Sequence, residues 1–245
     1  MHKKLIIDLG NTFQKLAVFD GKKLILKETF QKIKPEVLIE FIETNGSFHG
    51  IIQSSVIIHT EEMENILARS GKFMLLTFQT PLPIKNLYQT PATLGKDRIA
   101  SVTGAWLLFP GRNILAIDAG TCITYDFLDK NGEYLGGGIS PGIRMRFKAM
   151  HTFTGKLPLI EPDDFDDLIG RSTRESMLSG VNNGVTAEIR DIIRQYSDKY
   201  DDLKVIITGG DHQFLQNKLK INIFAVPELV LLGLNEIFDY NDHSG

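Results

Sequence analysis

The sequence predicts an α/β protein of two domains, each a mixed sheet flanked by helices, and three observations carry that prediction. The opening run Leu5-Ile6-Ile7-Asp8-Leu9-Gly10-Asn11-Thr12 takes an apolar strand into an acid, a glycine and polar residues, and Leu115-Ala116-Ile117-Asp118-Ala119-Gly120-Thr121 repeats it. Each copy leads into two further strand-like runs joined by a tight turn, and then into helices. Pro110-Gly111 stops a helix just ahead of the second copy. The boundary there gives domains 1–110 and 111–245, both of ordinary size.

In the first half, Lys4 to Leu9, Phe13 to Phe19 and Lys22 to Phe30 read as a three-stranded meander with a two-residue turn at Asp20-Gly21. Pro35 to Thr44 has Val37, Leu38, Phe41 and Ile42 at helical spacing, with the proline in its tolerated first turn. A strand lies within Phe48 to Ile58. The next helix, Thr60 to Ser70, takes Thr60 as its cap and buries Met63, Ile66 and Leu67. Phe73 to Thr77 is a strand, and the prolines between Thr80 and Pro91 mark an irregular surface segment. A helix follows from Lys96 to Phe109, burying Ile99, Val102, Ala105 and Trp106.

The second half restarts with strands at Asn113 to Asp118, Thr121 to Asp129 and Glu133 to Gly138, the last two joined through Asn131-Gly132. A helix follows Pro141-Gly142, and an acidic, proline-bearing connection runs from Leu157 to Asp167. The longest helix spans Thr173 to Tyr200, with Met177, Val181, Val185, Ile189, Ile192 and Tyr196 on one face. Val205 to Thr208 is a buried-type strand ending in Gly209-Gly210. A strand near Ile221 to Ala225 and a helix from Pro227 to Phe238 close the chain.

Bulk composition narrows the function. With 27 basic and 30 acidic residues the net charge is -3, which leaves no electrostatic footprint for nucleic acid and no polybasic membrane patch. No apolar run reaches the ~18 residues of a membrane span, and the single cysteine cannot form an internal disulfide. The first strand starts almost at Met1, with no room for a signal peptide, so the cytoplasm is the expected location and a small molecule the expected partner.

Asp-x-Gly at the end of one strand is an ordinary turn, because glycine supplies positive φ and Asp accepts backbone hydrogen bonds. Two such turns with hydroxyl-bearing neighbours can converge on a polyphosphate, backbone N–H groups taking the oxygens and carboxylates a cation. The series Asp8-x-Gly10-Asn11-Thr12, Gly95-Lys96-Asp97-Arg98, Asp118-x-Gly120-Thr121 and Gly137-Gly138-Ile139-Ser140-Pro141-Gly142 resembles type III pantothenate kinase. That family belongs to the acetate kinase, sugar kinase, heat-shock chaperone and actin superfamily, and its Gly-x-Asp-Arg element separates it from its relatives.

The resemblance implies two ribonuclease-H-like, actin-like ATPase domains with the active cleft between them. It implies ATP-dependent phosphorylation of pantothenate at its 4′ hydroxyl, the first step of coenzyme A biosynthesis, with Mg²⁺ and a monovalent cation, K⁺ or NH₄⁺, and a homodimer that shares the substrate site. Asp8, Leu9, Gly10, Asn11, Thr12, Phe13, Gln14 and Lys15 correspond to the first phosphate loop, with Asp8 near Mg²⁺, and Thr121 to the second. Asp118 corresponds to the monovalent-cation ligand and Asp97 to the catalytic base. Tyr88, Gly95, Lys96, Asp97, Arg98 and Thr173 fall at substrate-contacting positions.

Several of these positions have a second reading. Asp97 is also placed to cap a helix starting at Arg98, Arg98 either pairs with the substrate carboxylate or orients Asp97, and Lys96 reads equally as a solvated charge. Ser172 and Glu175 have capping-box spacing, which leaves the Thr173 hydroxyl free in the first turn. Thr208-Gly209-Gly210 serves either tight packing or a nucleotide's approach to the backbone. A nucleotide-dependent regulatory or binding protein of the same superfamily would keep Asp8 and Asp118 without needing Asp97 as a base. A filament-forming actin relative is a further alternative, although 245 residues leave no space for its inserted subdomains.

Other matches fail on chemistry. Gly138-x-Ser140-x-Gly142 is no hydrolase elbow, because Pro141 has no N–H for an oxyanion hole. Gly155-Lys156 lacks the upstream glycine and the following hydroxyl of a P-loop. The six histidines have no metal-ligand spacing, His212 reads as a surface residue and Cys122 as a small buried thiol. Cys122 stands where the family usually has alanine, and Thr90 where asparagine commonly precedes Pro91, which bears on pocket shape and not on reaction class.

Overall fold

The computed structural model describes residues 3–57 and 61–242. β1 (Lys3–Leu9) lies at the centre of the first sheet, paired antiparallel with β2 (Gln14–Asp20) from Lys3↔Asp20 to Leu9↔Gln14. β3 (Lys23–Phe30) extends the meander through a turn at Gly21-Lys22, one residue later than the sequence reading, where Gly21 takes φ 59°. After α1 (Pro35–Asn45), β4 (Gly50–Ser55) pairs parallel with β1. The next helix is α2 (Glu61–Ser70), whose expected cap, Thr60, lies outside the described residues, as does Ile58 at the end of the expected fourth strand. β5 (Lys72–Leu75) completes the sheet order β3-β2-β1-β4-β5.

Alternation along β1 divides its side chains between two faces. Leu5, Ile7 and Leu9 join Leu38, Phe41, Met63 and Leu67 of α1 and α2 in one apolar core. The opposite face is covered by the C-terminal helix, and a Cβ on Gly50 would lie 1.8 Å from Phe238 Cζ. Lys4 on that face is buried and ion-paired with Asp239.

The irregular segment carries the short β6 (Lys85–Asn86) and one 3-10 turn at Pro91–Thr93, then α3 (Lys96–Leu108). The second sheet has the order β11-β10-β7-β8-β9-β6. Its strands are β7 (Ile114–Ala119), β8 (Cys122–Leu128), β9 (Glu133–Pro141), β10 (Lys204–Thr208) and β11 (Phe224–Ala225). β9 runs past the expected Gly138 to Pro141, a strand-end position where a missing N–H is tolerated. Helices α4 (Ile143–Phe153), α5 (Thr173–Lys199) and α6 (His212–Leu219) supply Phe147, Leu178, Val185, Ile189 and Leu215 to a core with Leu115, Ile117 and Ile207. Ile193 is buried near the end of α5, and Ile192 and Tyr196 pack partly buried against the same core. The last helix, α7 (Leu229–Asp242), extends beyond the expected Phe238.

By contact the chain divides into two compact units. One holds the chain up to Pro110 with Asn131–Leu135 and everything from Glu228; the other holds Gly111–Lys130 and Gly136–Pro227. The chain changes unit after Pro110, and α7 groups with the first unit. The reason is its packing along α3, where Leu229, Leu234, Ile237 and Phe238 are fully buried. Among the described residues no helix is long and apolar enough to cross a membrane.

Candidate active site

In the first unit the end of β1 places Asp8 opposite Lys15 of β2. Lys15 Nζ stands 3.6 Å from Asp8 Oδ2, and Asp8 is 7 % exposed. Burial pushes the Asp8 carboxyl above its ordinary range, the Lys15 ammonium pulls it back, and the Asp97 carboxylate pushes it up again. Asp8 and Asp97 are thus close enough for their charges to interact.

The loop between the strands divides into exposed and buried positions. Asn11, Thr12 and Phe13 are exposed, whereas Leu9 belongs to the core. Gln14 is buried, and its Oε1 accepts a hydrogen bond from the Ile33 N–H at 2.5 Å, so its side chain braces the meander. A Cβ on Gly10 would come within 2.8 Å of Phe13 O, which ties the tight turn to glycine.

Asp97 does not cap α3. The cap position is Gly95, and Asp97 sits in the first turn, its Oδ1 accepting from the Arg98 N–H at 2.8 Å. A Cβ on Gly95 would lie 2.5 Å from Asp97 Oδ1, so glycine leaves room for the carboxylate. Lys96 turns back to donate to Leu94 O at 3.1 Å. Arg98 is buried, with its guanidinium carbon 5.6 Å from the centre of the Tyr88 ring, and Tyr88 in turn stacks on Tyr134 at 6.1 Å. Tyr88 and Arg98, ten positions apart, and the more distant Tyr134 therefore share one aromatic–cation stack.

In the second unit, β7 brings Asp118 beside Thr208 of β10. Gly209 follows with φ 90°, and a Cβ there would lie 2.4 Å from both Ala119 O and Asp118 Oδ1. Gly209 therefore packs against the Asp118 carboxylate, while nothing lies within 4 Å of a Cβ on Gly210. His212, half-buried, secures the turn with its Nδ1 2.7 Å from Gly209 O. Thr121 is exposed, and its carbonyl accepts from the Gly142 N–H at 3.1 Å. Cys122 is half-buried, short of the burial expected for it.

Sequence reasoning passed over Asp211, which stands immediately after the glycine pair. Its N–H donates to Ala119 O at 2.9 Å, and burial pushes its carboxyl up, with Arg144 opposing. The signal available was an acid directly after two glycines at a strand end. Thr173 opens α5 after the Ser172 cap, whose hydroxyl accepts from the Glu175 N–H at 3.2 Å, and Glu175 accepts from the Arg171 N–H instead of the cap's own. Thr173 is exposed and lines a cavity of about 650 Å³ with Met150, Leu157, Arg171 and Ser176. Among the described residues no cluster of three or more His, Cys, Asp or Glu side chains forms a metal cage.

Among solved structures, a Baf-family protein from Campylobacter jejuni matches with TM-score 0.61 at 24% identity over 98% of this chain and 99% of that one. A ROK hexokinase from Thermus thermophilus matches with TM-score 0.51 at 13% identity over 96% and 98%. Both likenesses concern the fold, which is that of the actin-like ATPases. A type III pantothenate kinase of Christiangramia forsetii is 47% identical over 240 residues, covering 97% of this chain and 98% of the relative. One from Bacteroides fragilis is 41% identical over 248 residues, with 97% and 98% covered. The family model described as Type III pantothenate kinase matches residues 4–195, and on these grounds the chain belongs to the type III pantothenate kinase family.

Proposed function

We propose that this phosphotransferase moves the γ-phosphoryl group of ATP to the 4′ hydroxyl of pantothenate, with Asp97 as the general base. The observation that carries the reading is the placement of Asp97, in the first turn of α3 and within electrostatic reach of Asp8. The hydroxyl oxygen forms a bond to the γ-phosphorus, the bond to the bridging oxygen of ADP breaks, and the hydroxyl proton passes to the Asp97 carboxylate. Phosphoryl transfer asks mainly for positioning and charge neutralisation, and the loop from Asp8 to Lys15 supplies a cation and a turn of backbone for that work.

Mg²⁺ typically takes one or two carboxylates plus phosphate and water oxygens, and Asp8 on this loop fits that role. When bound it neutralises phosphate charge. Asp118, held against Gly209 beside the Ala119 carbonyl, offers the oxygen donors that K⁺ or NH₄⁺ prefers, and Thr121 supplies a hydroxyl to the second phosphate turn. The stack of Arg98 on Tyr88 supports a role for this guanidinium in meeting pantothenate's carboxylate.

We place Thr173 at the substrate site and the site in a homodimer. Leu168 and Ile169, 80% and 75% exposed, adjoin that segment and offer an apolar surface for a second copy. The cytoplasm is the proposed compartment. The test is ADP release with and without pantothenate, first in potassium and then in sodium. Pantothenate-dependent turnover favoured by potassium is expected, and none in potassium overturns the reading.

A further inference from the structure

Ser54 stands beside Asp8. The parallel pairing of β1 with β4 matches Asp8 to Ser54, and partners in parallel strands project from the same face at a strand spacing of about 4.8 Å. Ile7 and Leu9 project to the α1–α2 core, so Asp8 and Ser54 project to the other side. That side is packed by α7 and, along β4, by α3, the helix that carries Asp97.

The Ser54 hydroxyl is fully buried and has no hydrogen-bond partner among the described residues. Buried hydroxyls are nearly always bonded, and an orphan calls for a reason. Its neighbour Ser55 needs none, because its Oγ donates to Ile57 O at 2.7 Å. Asp8 is the complementary case, a nearly buried carboxylate whose ammonium partner stands at 3.6 Å, beyond hydrogen-bond length. A donor lacking an acceptor and an acceptor with lone pairs to spare therefore lie on adjacent strands, in register and on one face.

We infer that Ser54 is a positioning residue for Asp8. Rotation about the Ser54 Cα–Cβ bond directs its O–H to the Asp8 carboxylate and fixes the orientation in which that carboxylate meets the phosphate-bound substrate. This rests on the reading of Asp8 as the acid of the first phosphate loop. A serine that only filled space would act independently of Asp8.

The test is a double-mutant cycle on the full chain with Ser54→Ala, Asp8→Asn and the pair, recording kcat, KM for ATP and for pantothenate, and Tm. Ser54→Ala is expected to lower kcat by about tenfold, the scale of a lost orienting contact, with KM for pantothenate and Tm held. In the Asp8→Asn background the same change should cost less than about twofold. Equal losses in both backgrounds, or none with Asp8 intact, overturn the inference. Wild-type turnover in Asp8→Asn refutes the underlying role of Asp8 and is distinguishable from either result. Should the alanine chain not fold, Ser54→Cys, with only a weak S–H donor, makes the same comparison.

Discussion

Gly104 of α3 and Gly233 of α7 cross with their backbones in contact: a Cβ on Gly233 would lie 1.8 Å from Ala100 O, and one on Gly104 2.3 Å from Leu229 O. No side chain separates the helices there. The crossing anchors the helix whose first turn holds Asp97 and Arg98.

Gly233→Ala should therefore separate the helices. Overpacking of this kind costs about 1–3 kcal/mol, and in a chain of this size about 2–4 °C of Tm for each kcal/mol. Thermal unfolding reads it directly. An unchanged Tm would mean that the two helices yield at the crossing without cost.

Asp97→Asn keeps the shape of the side chain and removes its capacity to take a proton. Turnover should fall by roughly 10²-fold or more while ATP affinity, measured by calorimetry, stays near wild type. Equal turnover would return Asp97 to a role within α3, where its Oδ1 already holds the Arg98 N–H.

Gly209→Ala places a methyl group against Asp118 at a φ of 90°, which side chains rarely adopt. Its turnover should drop and its potassium titration should shift. Gly210→Ala is the control, since nothing lies within 4 Å of a Cβ there and its activity should stay near wild type. Similar losses at both positions would argue against close approach to Asp118 as the cause.

The end of α7 is sensitive to acid. Lys72 and then His49 hold the Asp242 carboxyl down to about 2 from its ordinary 3.8. A carboxyl lowered by folding contributes stability that is complete above its unfolded value and is lost as pH falls through its folded value. The window here runs from 3.8 down to about 2. These pairs are largely solvent-screened, so each contributes on the order of 0.2–1 kcal/mol. Tm should fall more steeply through that window in wild type than in Asp242→Asn, and parallel curves would remove the pair from the account.

The fold class was legible because apolar strand, acid and glycine occur twice, and because Ser172 and Glu175 mark the start of α5 before any tertiary contact is known. The destination of α7 was not legible. Its pattern of apolar residues announces that it will be buried but carries no address, and only the fit of Gly233 to Gly104 supplies one. Asp97 illustrates the finer limit: an acid near a helix start reads as a cap until Gly95 is seen to occupy that position. Tyr88 with Arg98, and Ser54 beside Asp8, are relationships of stacking and strand register, which no local run of residues encodes.

The return of α7 to the first unit also sets an order of events during synthesis. Strands β1 and β4 leave the ribosome early, yet the helix that covers one of their faces leaves after the whole of the second unit. Ile6 and Ile52 on that face must wait in water or in a makeshift contact until Leu229 to Phe238 arrive. A chain interrupted before Glu228 therefore holds the loop from Asp8 to Lys15 on a sheet still lacking one side of its core.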